Sequence, residues 1–247
     1  VKGLVLYHPW AWFTMPAEPG APARKRLETR GQPIGGLPGA PKRPTLPGCN
    51  ATVGERVAII AGQDRKPLRE TRTGGGHPPV TAEQEATMWA ELEADGITCE
   101  EDLPWGAVVG TVRLGNAFLM TDFEGVKDQG QPHLLVGTRY DPGRLLACLP
   151  SEGFSSSGSG VVSHFEWATT IETDQEPYGV WAPGRWAVEL DDPVRLRTPV
   201  PILGRQGLHH LRDTRDGTSC PRCEARMLTT EHHEEHDWCP TCGWVDE

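Results

Sequence analysis

Four cysteines toward the C-terminal end stand at the spacing of a metal site. Cys220 and Cys223 bracket Pro221 and Arg222, fifteen residues follow, and Cys239 and Cys242 bracket Pro240 and Thr241. Two residues between cysteines let one tight turn present both thiolates to a single ion. Pro221 and Pro240 stiffen those turns, and Gly243 suits the positive φ that such a turn often needs. Two knuckles joined by a strand–turn–strand segment make a ribbon around one tetrahedral zinc ion, with Zn–S bonds of about 2.3 Å. A redox pair is the alternative use of the same cysteines. Four sulfurs fill the tetrahedron and leave no position for water, so a structural ion is expected and hydrolytic zinc chemistry is not. The segment is too short for its own core, so the metal must supply folding energy, on the order of 10–16 kcal/mol. His232, His233 and His236 lie between the knuckles and read as exposed ribbon residues.

A second chemistry-bearing group sits in KRLETR, residues 25–30. Read as a strand, its alternation puts Glu28 and Arg30 on one face, where they can pair. GLVLY (3–7), RVAIIAG (56–62), GAVVGTVRL (106–114) and WAVEL (186–190) read as buried strands, SHFEWATTIE (163–172) as a further strand, and PVPILGRQGL (199–208) as a closing segment. Pro9 suits the first position of a short helix over AWFTM. Thr81, with Gln84 three residues on, forms a capping box that opens the clearest helix. Met88, Trp89 and Leu92 make its apolar stripe, and Gly96 ends it. Residues 31–54 form a long Gly/Pro loop, and 151–160 a flexible connection; no internal repeat occurs. Short strands with few helices give an α+β fold built on a mixed barrel.

The 247 residues allow one medium domain and a small appendage. The chain has 29 Gly and 23 Pro, so much of it must be turn and loop. No apolar run approaches the roughly 20 residues of a membrane helix. VKGLVLYHPW lacks the features of a secretion signal, and Cys49, Cys99 and Cys148 form no disulfide framework. A cytoplasmic location is expected. The net charge of −10 hides an uneven distribution. Residues 1–75 carry 12 Lys/Arg against 5 Asp/Glu, whereas residues 76–103 carry 8 acidic and no basic residues. A basic N-terminal face can attract phosphate even on an acidic protein.

Six segments in one order resemble the ASCH domain family: HPWA (8–11), KRLETR, GERVAIIA (54–61), WGAVVGTVRL (105–114), WAVEL and PVPILGRQGL. The family has a PUA-like β-barrel with short flanking helices. The resemblance implies an ASCH domain over 1–211, with loop insertions at 31–54 and 115–177, followed by the ribbon over 212–247. It also implies a cleft between barrel and helix, lined by the HPWA turn and the KxxExR strand. Lys25 and Arg30 then offer donors to phosphate or a base edge. Glu28 accepts from an exocyclic amine or serves as a general base. Trp10 offers a stacking surface, worth about 1–3 kcal/mol per base. His8 belongs to the same turn, and Gly204 and Gly207 permit close backbone approach. Each residue has a purely structural alternative: Trp10 as core, Glu28–Arg30 as an ion pair, Lys25 as an exposed lysine, His8 as a brace of the turn.

Two departures bear on activity. Many relatives carry His where this chain has Ile60. Relatives that hydrolyse N4-acetylcytidine use a lysine, a threonine and a glutamate; Lys25 matches the lysine, but Glu28 stands at the threonine position. The expectation is therefore a nucleic-acid-binding module that holds RNA or a modified or flipped base, with a structural zinc ribbon as accessory contact. Two alternatives stay open. One is a hydrolase of RNA or acylated nucleosides, with Lys25 and Glu28 as catalytic candidates. The other is an adaptor whose acidic ribbon docks a protein partner.

Overall fold

The computed structural model describes residues 2–18, 20–30, 34, 51–63, 81–122, 145–150, 165–170, 173–179, 181, 185–202, 208–210, 219–223, 228–229 and 237–242. The Gly/Pro loop apart from Ile34 and residues 51–54, the 151–160 connection, Gly204, Gly207 and the three ribbon histidines lie outside them.

The fold is mixed α+β, a curled half-barrel sheet with two short helices. Strands β1 (Lys2–Leu6), β2 (Leu27–Arg30), β3 (Arg56–Ala61), β4 (Ala107–Asp122), β7 (Trp186–Pro201) and β8 (Leu208–His210) run in the order β2-β7-β4-β3-β1-β8. β5 (Leu145–Pro150) pairs with the far end of β4, and β6 (Phe165–Thr170) pairs with β5. Every pairing in this sheet is antiparallel except β1 with β3. β3 reads as an unbroken apolar run because both its faces are buried. Val57, Ile59 and Ala61 join Leu4, Leu6, Leu114, Val188 and Leu190 on the inner side; Ala58 and Ile60 join Val108, Leu196 and Val200 on the outer side.

β4 and β7 each run 16 residues, well past the segments their apolar patterns marked. Bulges make this possible, since an extra residue bends a strand without ending it. Between the pairs Arg113–Asp191 and Thr111–Val194, β7 carries one residue more than β4, so Asp192 and Pro193 bulge out. Asp192 adopts φ 45°, and its carboxylate accepts from Arg56 and Arg113. Gly110 lies where β7 presses on β4: a Cβ there would collide with the Met15 sulfur and the Val194 carbonyl.

Helix α1 (Trp10–Phe13) is a single turn, and α2 (Ala82–Ala94) carries the expected capping box. The Thr81 hydroxyl accepts from the Gln84 N–H at 3.2 Å, and the Gln84 side chain accepts from the Thr81 N–H at 3.2 Å. Met88 and Leu92 of α2 pack with Trp10, Phe13, Leu103 and Tyr178, while Trp89 is only partly buried against them. Gly96, at φ 81°, turns the chain away after the last helical residues. Asp95 ties the two helices together, accepting from Trp12 Nε1 at 2.9 Å and from both terminal nitrogens of Arg24 at 2.6 and 2.8 Å. No described helix is long and apolar enough to cross a membrane.

Candidate functional site

The four C-terminal cysteines come together as their spacing requires, with their sulfurs all within 4.8 Å of one another. Cys220 and Cys242 are 3.6 Å apart, and Cys223 and Cys239 3.5 Å. A disulfide needs about 2.05 Å, so these are free thiols. A tetrahedral ion with bonds of about 2.3 Å would place its sulfurs about 3.8 Å apart, so the donor set fits a single soft metal ion. The turn is built for such a load: the Arg222 N–H points at the Cys220 sulfur at 3.4 Å.

The cysteine cluster does not stand apart from the sheet. A small two-stranded sheet, β9 (Leu228–Thr229) with β10 (Asp237–Trp238), follows the first knuckle. Leu228 and Trp238, each 1% exposed, share the outer-face core with Ala58, Ile60, Val108 and Val200. The Thr111 hydroxyl of β4 donates to the Pro240 carbonyl of the second knuckle at 2.8 Å, in a fully buried bond. A segment too short to bury its own side chains thus uses the sheet as its core.

On the other side of the molecule the sheet pairing assembles a charged cluster. β2 lies against β7, with Glu28 opposite Val188 and Arg30 opposite Trp186. Directly opposed residues share a face, so Glu28 and Arg30 lie on the side where Trp186 and Val188 enter the inner core. Lys25, just before β2, is 1% exposed. Its backbone N–H donates to the Phe13 carbonyl, and its ammonium donates to the Tyr178 carbonyl at 2.5 Å and meets Glu28 at 3.2 Å. Arg30 approaches the other Glu28 oxygen at 3.8 Å. Burial pushes the Lys25 ammonium below its ordinary value; Glu28 partly restores it, and Arg185 and Arg30 lower it further.

Arg185, unmarked by the sequence reading, is the fourth member. It precedes Trp186 at the start of β7, is 4% exposed, and donates to the Thr29 carbonyl of β2 at 3.3 Å. Its Nε and Nη1 are buried without a hydrogen-bond partner among the described residues. Burial lowers this guanidinium to about 10, with the attraction of Glu28 opposing the shift and Arg30 adding to it. No local pattern marks Arg185, because what brings it to Glu28 is the pairing of β2 with β7.

The HPWA turn is placed differently from the open surface that its aromatic residue suggested. Trp10 is 8% exposed and packed among Phe13, Met88, Leu92 and Tyr178, so its ring is core and not a free stacking platform. The face of Trp12 is covered by the Arg195 guanidinium at 3.9 Å. His8, 2% exposed, stands edge-on to Trp105 with ring centroids 4.8 Å apart. Burial drives its imidazole down to about 4, offset in part by the Pro104 backbone. His8 is therefore a neutral brace of the turn. The cavity beside it, lined by Trp89, Leu92, Leu103 and Trp105, holds about 10 Å³, room for one water and not for a base.

Among the candidates, the structure brings Lys25, Glu28 and Arg30 into one cluster and sets His8 and Trp10 in the neighbouring aromatic core. Comparison of the chain with protein-family models, and with curated proteins, finds no match.

Proposed function

We propose that this chain is a nucleic-acid-binding module with a PUA-like, ASCH-type domain, and that it holds RNA or a single modified or unpaired nucleotide over the Lys25–Glu28–Arg30 cluster. The observation that carries the reading is the juxtaposition of Glu28 with three cations at the β2–β7 edge of the inner core. Glu28 and Arg30 keep partly exposed side chains, at 12% and 28%, so both are reachable from outside. A carboxylate acceptor beside guanidinium donors is chemistry suited to a base edge next to a phosphate. Zinc is the ion we assign to the four cysteines, on the softness and number of their donors. In this reading the metal knuckles brace the outer face of the sheet, and nucleic acid engages the opposite, inner side.

The test is a binding panel at low salt: single-stranded RNA, single-stranded DNA and modified nucleosides, each titrated into the full chain. Submicromolar binding to at least one is expected, with a loss of about tenfold on Arg30→Gln. Absence of binding across the panel overturns the reading.

One observation favours a hydrolase of RNA or acylated nucleosides as a second reading: a lysine held below its ordinary value, 3.2 Å from a carboxylate, is the pairing of an activated amine and a base. Against it, Lys25 is 1% exposed and its ammonium is engaged by Tyr178 and Glu28. Turnover of acylated nucleosides or single-stranded RNA that disappears in Glu28→Gln would establish it.

A further inference from the structure

We infer that Arg30, with Lys25 and Arg185 behind it, forms a subsite for a dianionic phosphate monoester, the terminal phosphate of a free nucleotide or of an RNA end. The nucleotide as carrier of that phosphate rests on the function proposed above; the subsite itself rests on charge, burial and hydrogen bonding.

Three cations face one carboxylate. Lys25 and Arg30 pair with Glu28, and Glu28 is the carboxylate that attracts Arg185. Among the described residues no second acidic group enters the cluster, so with all four ionised it carries a net charge of +2. Two of the cations are almost fully buried, Lys25 at 1% and Arg185 at 4% exposure. Burying uncompensated positive charge is costly, and the attraction of one carboxylate does not offset it for three cations. Arg185 shows the shortfall directly, with two guanidinium nitrogens shielded from water and without a hydrogen-bond partner among the described residues.

The cluster also has a mouth. The Arg30 side chain is 28% exposed, and its 3.8 Å contact with Glu28 is at the long limit of an ion pair. Its planar fork can turn from Glu28 to an incoming oxyanion and bind it with two parallel N–H donors. Lys25 cannot swing out, because the Tyr178 carbonyl and Glu28 hold it. Lys25 and Arg185 therefore act as a fixed positive background, set by adjacent rigid strands, and Arg30 makes the contact. A phosphate monoester carries close to two charges at neutral pH and neutralises the excess. An internal phosphodiester carries one, and a nucleobase none. The subsite therefore selects chain ends and mononucleotides over internal linkages.

Isothermal titration of the full chain with the common ribonucleosides, their 5′-monophosphates and the methyl esters of those monophosphates reads this selectivity. The monophosphate is expected to bind about tenfold more tightly than its methyl ester, the equivalent of one well-placed charge contact. Arg185→Gln should erase that preference while leaving the methyl ester within about twofold of its wild-type affinity. If Arg185→Gln loses its cooperative thermal transition, Arg30→Gln, on a partly exposed position, should likewise erase the preference for the monophosphate, whatever its overall affinity. Equal affinities for monophosphate and methyl ester in the wild type overturn the subsite, as does a folded Arg185→Gln that keeps the preference. A short single-stranded RNA with and without a 5′-phosphate separates the two carriers: tighter binding of the phosphorylated RNA than of the mononucleotide assigns the site to RNA ends, and the reverse assigns it to free nucleotides. Binding of all three nucleoside forms with no preference sinks the subsite and leaves the nucleic-acid reading standing. Binding of inorganic phosphate without any nucleoside, nucleotide or RNA does the opposite.

Discussion

The cysteine cluster and the charged cluster occupy opposite sides of one sheet and are assembled by opposite means. Each knuckle of the first is closed by a turn of four residues, and the two knuckles lie within one short stretch of chain. The second joins Lys25, Glu28 and Arg30 to Arg185 and the Tyr178 carbonyl, more than half the chain away. The first can give up all its thiol protons only to a metal, since four thiolates confined within 4.8 Å would repel one another without one. The second, among the described residues, sets three cations against one carboxylate. One region is therefore completed by a cation and the other, on our reading, by an anion, and neither should feel the loss of the other's ligand strongly.

Removing a cysteine is the harshest test of that independence. Cys239→Ser, at a fully buried ligand, should abolish stoichiometric metal binding and release a segment whose folding depends on about 10–16 kcal/mol of metal affinity. Elemental analysis should fall from about one ion per chain to none, and Leu228 and Trp238 should leave the outer face, seen as new proteolytic cleavage near the knuckles. A strong chelator should reproduce the effect. Retention of nucleotide binding by the chelated protein supports the separation of the two regions; its parallel loss breaks the comparison.

Breaking the charged cluster comes next. Lys25→Met removes the central cation and leaves Glu28 with only its longer-range partners. A cost of about 1–3 kcal/mol in denaturant unfolding is expected, because the Tyr178 carbonyl loses its donor while Arg30 and Arg185 still face Glu28, with the metal content unchanged.

His8 gives a test of nearly the same size without mutation. Its folded value of about 4 lies below the ordinary 6.5, so the unfolded chain binds the extra proton more readily. The stability it contributes is present above pH 6.5 and is lost as the pH falls toward 4. The loss is on the order of 3 kcal/mol. A melting midpoint followed across that window should fall in the wild type and fall less in His8→Phe. Equal slopes in the two proteins would falsify the burial argument.

The smallest expected effect joins the two regions. Thr111→Val removes the donor to the Pro240 carbonyl and should cost about 1 kcal/mol. It should speed metal loss to a chelator while leaving nucleotide affinity unchanged.

The same contrast explains what the sequence made legible. The cysteine cluster was readable because everything that defines it is local spacing. So was α2, whose capping box and glycine stop are short-range devices. Lys25, Glu28 and Arg30 were readable as a strand motif, although only Leu27–Arg30 is strand and Lys25 turned out to be buried. Arg185 was not readable, because nothing near it in sequence says that β7 will lie against β2. The lengths of β4 and β7 were missed for a related reason. Prolines 193, 199 and 201 look like strand breakers, and only the bulged pairing shows how a strand absorbs them. Trp10 failed as a stacking surface because a turn motif records that an aromatic is present and not which neighbours cover it.

The placement of β1 has a further consequence, for the order in which the protein is built. Lys2, Gly3 and Leu4 pair on one side with Val57, Ala58 and Ile59 and on the other with His210, His209 and Leu208. A ribosome releases β1 before either neighbour, and the second emerges only after all of β7 has been made. The growing chain must therefore carry an apolar strand with one edge open while β2 to β7 are synthesised. Long-range closure of this kind slows folding and exposes unpaired edges to neighbours. Expression yield should accordingly be more sensitive to chaperone supply and translation rate than the stability of the finished sheet suggests.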